Sequence, residues 1–262
     1  MSTYDNFRLE RDGAVAVLTI DSESRLNALN PEMGTELLEL TSAVPYEDEV
    51  RAVVLTAHGD AFGAGADLSR LSGDERDSPV LRKLASQLHD AVSHLHRAPV
   101  PVLTGVNGIA AGGGFSLALV GDIVLVSDEA RLEFAYPRLG LTGDGGSTFA
   151  LPRLVGLRRA KEIALRDEPI DPERAVELGL ATEVVPDDEL HDRVREEARR
   201  LASGPTWALG RTRRLLAESF SRDLESQLAA ETEAIAGAAE TEDFARGYAA
   251  FFGEDDPEFV GR

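Results

Sequence analysis

A mixed α/β core followed by a helical C-terminal region is what this 262-residue chain predicts, and three observations carry the prediction. Short apolar runs of strand length alternate with longer segments whose apolar residues recur at helical spacing. The order strand, glycine-rich loop, helix, strand occurs twice, which favours mixed layers over an all-β or all-α design. Beyond residue 200 the text is helical almost throughout, so residues 1–200 are read as the core and residues 201–262 as a helical appendage.

The elements follow in chain order. F-R-L-E-R from Phe7 and V-A-V-L-T-I-D from Val15 alternate as strands do, and Asp12-Gly13 between them is a hairpin turn signal. Asn30-Pro31 starts a helix, with Met33, Leu37, Leu38 and Leu40 recurring along it until Pro45. R-A-V-V-L-T-A from Arg51 is a buried strand, and the loop H-G-D-A-F-G-A-G-A-D-L follows it. Residues 79–97 form a helix with Val80, Leu84, Leu88, Val92 and Leu95 on one face. Pro99 and Pro101 end it before the strand V-L-T-G-V from Val102. A triple glycine, Gly112-Gly113-Gly114, opens the short apolar run S-L-A-L-V, and I-V-L-V-S from Ile123 is another strand. Leu190, Val194 and Ala198, spaced by four, mark a late helix; Ser203-Gly204-Pro205 separates it from the long helical stretch Thr206 to Phe252.

Composition removes several classes of chemistry. The chain has no cysteine, which excludes disulfides, thiolate metal sites and a nucleophilic thiol. Its net charge of -20 disfavours nucleic acid and anionic membranes as partners. With no apolar run long enough to span a bilayer and no signal-like start, the expected location is cytoplasmic. Lys83 and Lys161 are the only lysines, and an acidic, lysine-poor surface suits a salt-rich cytoplasm.

Several motifs fail on inspection. The glycines at Gly63, Gly112 and Gly143 do not complete a dinucleotide fingerprint, because Leu68, Leu117 and Thr148 occupy its last position. G-F-S-L-A around Ser116 resembles a hydrolase nucleophile elbow without its final glycine, and Asp171 and His191 stand in the right chain order for a triad; the plainer reading is a small polar residue at a helix start. His89, His94 and His96 share a helix without the spacing of a metal site, and no histidine is given a role. No metal site is expected.

The loops F-G-A-G-A-D-L from Phe62 and A-G-G-G-F-S from Ala111, with Asn107-Gly108 and R-L-N-A-L-N from Arg25, form an ordered set along the chain. The set resembles the crotonase, or enoyl-CoA hydratase/isomerase, superfamily. That resemblance implies a ββα spiral core, a helical C-terminal trimerisation region giving homotrimers or homohexamers, and an acyl-CoA thioester substrate. Coenzyme A belongs to that substrate, so no separate cofactor is expected. By position the oxyanion hole would be the backbone N–H groups of Ala66 and Gly113, with Gly112 beside them. Ala64 and Asp67 would lie on the loop meeting the adenine, and Arg25 near the CoA phosphates.

Hydratases of this family use two glutamates. Their places here are held by Ser116 and by a residue between Tyr136 and Arg138, none of which is a carboxylate. Paired-glutamate water addition therefore loses its bases. The stretch G-L-T-G-D-G-G-S-T from Gly140 resembles instead the ring-epoxide phenylacetyl-CoA isomerase and enoyl-CoA isomerase branch, which assigns the proton transfer to Asp144. Asp before Gly-Gly is, taken alone, an ordinary turn or cap. Glu133 alternates with apolar neighbours and is expected to face solvent, while Tyr136 is placed in the acyl pocket. The expected activity is isomerisation of an enoyl-CoA or ring-epoxide thioester, as in fatty acid metabolism or phenylacetate degradation. The alternatives are a hydratase or acyl-CoA hydrolase, or a non-catalytic acyl-CoA- or RNA-binding relative.

Overall fold

The computed structural model describes residues 4–253 and 256–262, so the first three residues of the start read above lie outside it. Two sheets organise the chain. In the larger, β1 (Phe7–Asp12) and β2 (Val15–Ile20) form an antiparallel hairpin. Beside β2, running parallel to it, come β3 (Ala52–Ala57), β5 (Val102–Val106), β7 (Ile123–Ser127) and β9 (Glu183–Val185). The smaller sheet is wholly parallel and made of three-residue strands, β4 (Ala61–Gly63), β6 (Ile109–Ala111) and β8 (Arg131–Glu133).

The near-continuous apolar strands are explained by burial on both faces. Val15, Val17, Val54, Leu103 and Leu125 pack on helix α7 (Leu190–Ala202) through Leu190, Val194, Ala198 and Ala202. Their alternates Ala16, Leu18, Ile20, Val53 and Leu55 face the main core, with α1 (Pro31–Ala43) and α2 (Ser78–Arg97). Each fully buried Leu or Ile side chain there contributes roughly 1.5–3 kcal/mol. Asn30 caps α1 by accepting the Met33 N–H at 2.8 Å, leaving Pro31 at the first helical position, where a missing N–H costs nothing.

The short helix α3 (Gly113–Ala118) starts inside the triple glycine. α4 (Ser147–Leu154), α5 (Gly156–Arg166) and α6 (Pro172–Leu178) bring the chain to β9 and α7. α8 (Thr206–Glu218), α9 (Leu224–Ala239) and α10 (Glu242–Phe252) complete it. Arg213 of α8 ties this tail to the core, donating to the carbonyls of Leu95 (2.7 Å), His96 (2.8 Å) and Ala98 (3.0 Å). Arg51, entering β3, donates to the Gly204 carbonyl at 2.6 Å and the Phe259 carbonyl at 3.1 Å. Among the described residues no helix is long and apolar enough to cross a membrane.

The structure departs from the sequence reading at Glu133. It is 3% exposed rather than facing solvent, because Arg131 and Arg138 close over its carboxylate as ion-pair partners. The alternation rule assumed one wet face, and two arginines cover that face.

Candidate active site

The three strands of the small sheet run the same way, so their C-terminal ends meet at one place. After β4 come Ala64, Gly65 and Ala66; after β6, Gly112 and Gly113; after β8, Ala135 and Tyr136. All line one cavity of about 730 Å³, whose lining is completed by α2 and by Leu139, Leu141, Thr142 and Asp144.

Main-chain geometry sets the approach of the first two loops. Gly65 has φ +85°, and a Cβ there would stand 3.2 Å from the Ala111 carbonyl oxygen and 3.5 Å from the Gly113 nitrogen. The residue must therefore be glycine for both conformation and space. Among the described residues neither the Ala66 nor the Gly113 N–H meets a protein acceptor. Gly113 is the first residue of α3, where N–H groups have no partner within the helix. Both residues line the cavity with a main-chain N–H that has no protein acceptor among the described residues. Gly114 has a different reason: its missing Cβ would lie 1.9 Å from the Gly63 carbonyl oxygen, so α3 is pressed on β4 there. Clearance for a ligand explains only part of the triple glycine.

Asp144 lines the cavity, partly buried, in the loop before α4. The Tyr136 hydroxyl donates to its Oδ1 at 2.6 Å, and the Ser116 hydroxyl donates to its main-chain carbonyl at 2.9 Å. Burial pushes the Tyr136 phenol up from its ordinary value, and the neighbouring Asp144 charge and the donated bond add to the shift. The tyrosine therefore stays protonated and serves as a fixed donor to the carboxylate. Leu88 of α2 bridges the two working loops: its Cδ2 lies 3.3 Å from where a Cβ on Gly113 would sit and 3.0 Å from one on Gly145.

The remaining residues singled out in the sequence divide. Ala64, Ala66, Gly112, Gly113, Tyr136 and Asp144 are brought together on the cavity wall. Ser116 is buried behind it, bonded to Tyr136 and Asp144. Asp67 turns away to accept the Ser69 N–H at 3.1 Å, and Arg25 is exposed on a turn that does not line the cavity. Arg138 points to Glu133 and Asp167, outside the cavity. The triad alternative does not assemble. Asp171 caps α6, His191 sits 3.5 Å from Thr56 Oγ1, and neither bonds to Ser116.

Gly65, Arg82 and His89 are among the cavity residues that the sequence reading does not single out. Gly65 was passed over within its loop, although its neighbours were named. Arg82 and His89 share one face of α2 with Ser78 and Ala85, and all four line the cavity. The recurrence 78, 82, 85, 89 was legible as a helical face, but the histidines were tested only for metal spacing.

Residues 10–262 match the family model for enoyl-CoA hydratase/isomerase. The 1,2-epoxyphenylacetyl-CoA isomerase of Escherichia coli strain K12 is 36% identical over 250 residues, covering 95% of either chain. A Rhodobacter capsulatus protein named "probable enoyl-CoA hydratase" is 37% identical over 262 residues, covering 99% of this chain and 100% of its own. The crystal structure of an enoyl-CoA hydratase from Bacillus anthracis superposes with a TM-score of 0.92 at 30% identity, over 98% of this chain and 100% of that one. Isomerase and hydratase names thus stand at similar identity.

Proposed function

The chain belongs to the enoyl-CoA hydratase/isomerase family and has the crotonase fold, and from that premise we propose that it is an acyl-CoA isomerase, shifting a double bond or opening a ring epoxide of an enoyl-type thioester. The observation that carries the reading is a single carboxylate, Asp144, on the cavity wall that also presents the Ala66 and Gly113 amides. The positions that would carry a hydratase's glutamates hold Ser116, whose hydroxyl is engaged, and a residue between Tyr136 and Arg138, none of which is a carboxylate.

The chemistry follows from that geometry. The thioester oxygen binds to the two free N–H groups, each donor stabilising a developing enolate by roughly 3 kcal/mol. Asp144, ionised, takes a proton α or γ to the carbonyl; the enolate spreads the charge; the carboxylic acid so formed returns the proton to the other carbon. No water need be activated. Tyr136 holds the carboxylate in place through its 2.6 Å bond. For the CoA phosphates we assign Arg82 and Lys83 in place of Arg25. Arg82 lines the cavity, Lys83 lies in the adjoining surface depression, and neither has a carboxylate partner among the described residues. We further propose that the protein acts in the cytoplasm as a homotrimer or homohexamer, supported by the apolar tail described below.

The test is Asp144→Asn. Turnover of enoyl- or epoxide-type CoA thioesters should fall by about 10²–10⁴ while thioester affinity is kept. Unchanged turnover would sink the assignment. A hydratase or hydrolase reading is favoured by one feature, His89 of α2, which also lines the cavity and could activate water there. Label from isotopic water appearing in the product of crotonyl-CoA, and lost in His89→Gln, would select that reading.

A further inference from the structure

We infer that Asp167, at the C-terminal end of α5, is a positioning residue that holds Tyr136 against Asp144 without touching the cavity. The inference rests on the reading of Asp144 as the base. Its origin is the backbone of Ala135, which has φ +62°, a left-handed conformation that L-residues with a Cβ avoid. An alanine has no polar side chain to repay the strain locally, so something outside must hold it. Asp167 does: its Oδ1 accepts the Ala135 N–H at 2.6 Å. The very next residue is Tyr136, whose hydroxyl bonds the base at 2.6 Å.

A second set of bonds closes the same turn. Asp167 Oδ2 accepts from Arg138 Nε at 2.8 Å, and the Asp167 main-chain carbonyl accepts from Arg138 Nη2 at 3.0 Å. The other arm of that guanidinium reaches Glu133. Arg138 therefore spans the two ends of the segment 133–138 while Asp167 pins its middle, and Tyr136 is the residue left pointing inward. The side chains of Glu133 and Asp167 are only 4% and 8% exposed, so the two carboxylates are held under Arg138, whose own outer face stays in solvent at 45% exposure. Asp167 is itself left-handed, φ +52°, which turns its carboxylate back toward the 133–138 segment after α5 ends. Arg138, in the segment where a hydratase would carry its second glutamate, thus has a definite task. It fastens the wall that carries Tyr136.

The experiment is a double-mutant cycle read by steady-state kinetics. Asp167→Ala should lower kcat on the order of tenfold with KM little changed, because the donor to Asp144 is displaced and the binding residues are not. The acid limb of the kcat profile should also move to higher pH, since a carboxylate that loses a hydrogen bond to its charged form becomes easier to protonate. In a Tyr136→Phe background the same substitution should add nothing further. Ala135→Gly should restore kcat to Asp167→Ala, because glycine adopts φ +62° without strain. Losses that add in the double variant, or a glycine that rescues nothing, overturn the inference. If Asp167→Ala does not fold, Asp167→Asn, which keeps an acceptor for the Ala135 N–H and drops only the charge toward Arg138, should keep kcat close to wild type, and a tenfold loss in it would overturn the inference. A dead Asp144→Asn beside an unaffected Asp167→Ala refutes this proposal alone, whereas an active Asp144→Asn refutes the reading beneath it.

Discussion

The ends of the small sheet and the tail formed by α9 and α10 are opposite kinds of structure. Around β4, β6 and β8 nearly every group is spoken for: Asn27 donates to the carbonyls of Ala61 (2.7 Å) and His58 (3.0 Å), and Phe62, Phe115 and Leu132 are fully buried. In α9 no residue is buried, and in α10 only Asp243 is. Ile235 is 73% exposed and Phe251 81%, with Leu228, Phe244, Tyr248 and Phe252 also open. Exposed apolar side chains on that scale mark a surface awaiting a partner. The difference teaches that the proposed site residues are brought together by one chain's own packing, whereas the tail's apolar side chains are left uncovered by it. Catalysis and assembly should therefore be separable by mutation.

The largest expected effect is the loss of turnover in Asp144→Asn described above, and in this comparison it must leave the mass in solution unchanged. Next is Gly114→Ala. With only 1.9 Å between the new Cβ and the Gly63 carbonyl, α3 and β4 must part, at a cost of about 3 kcal/mol or more, seen as a lowered thermal midpoint and a collapse of activity. Wild-type stability in that variant would mean that the strand ends are looser than the tail.

The double substitution Ile235→Asp with Phe251→Asp should do the reverse. Single-chain stability should stay within about 0.5 kcal/mol, since both side chains are exposed, but light scattering should report single chains in place of an assembly. An unaltered mass would show that the tail's apolar face meets no second copy. Smallest is a pH effect on the core side. Partial desolvation lowers the pKa of His96 and of His191, each of which keeps an exposed face, with the nearby Arg213 and Arg195 charges, respectively, adding to each shift. A lowered folded value means that stability is full above pH 6.5 and is lost as pH falls through the depressed folded pKa. His191→Gln should therefore flatten the melting temperature between pH 7.5 and 5 slightly, and an identical slope in the variant would contradict the burial argument.

The sequence showed best what has a period. β1, β2, β3, β5 and β7, and the helices α1, α2 and α7, are legible because their apolar residues recur over five positions or more. β4 and β6 are not, since a strand of three residues is too short to show alternation, and β8 shows only through the alternation of Leu132, Glu133 and Phe134. Ala66, Gly113 and Asp144 came from the resemblance rather than from pattern: a backbone amide leaves no mark on residue type beyond a nearby glycine. The Asp167 clamp was invisible for a related reason. Its partner is the main chain of an alanine 32 positions away, which composition cannot record.

The seating of Gly114 on the carbonyl of Gly63 has a last consequence. The separation between the Ala66 and Gly113 amides is fixed by polypeptide backbone pressed on polypeptide backbone, so it does not depend on which side chains surround it. Most lining residues can then be exchanged without touching that backbone contact, whereas any side chain at position 114 forces it apart.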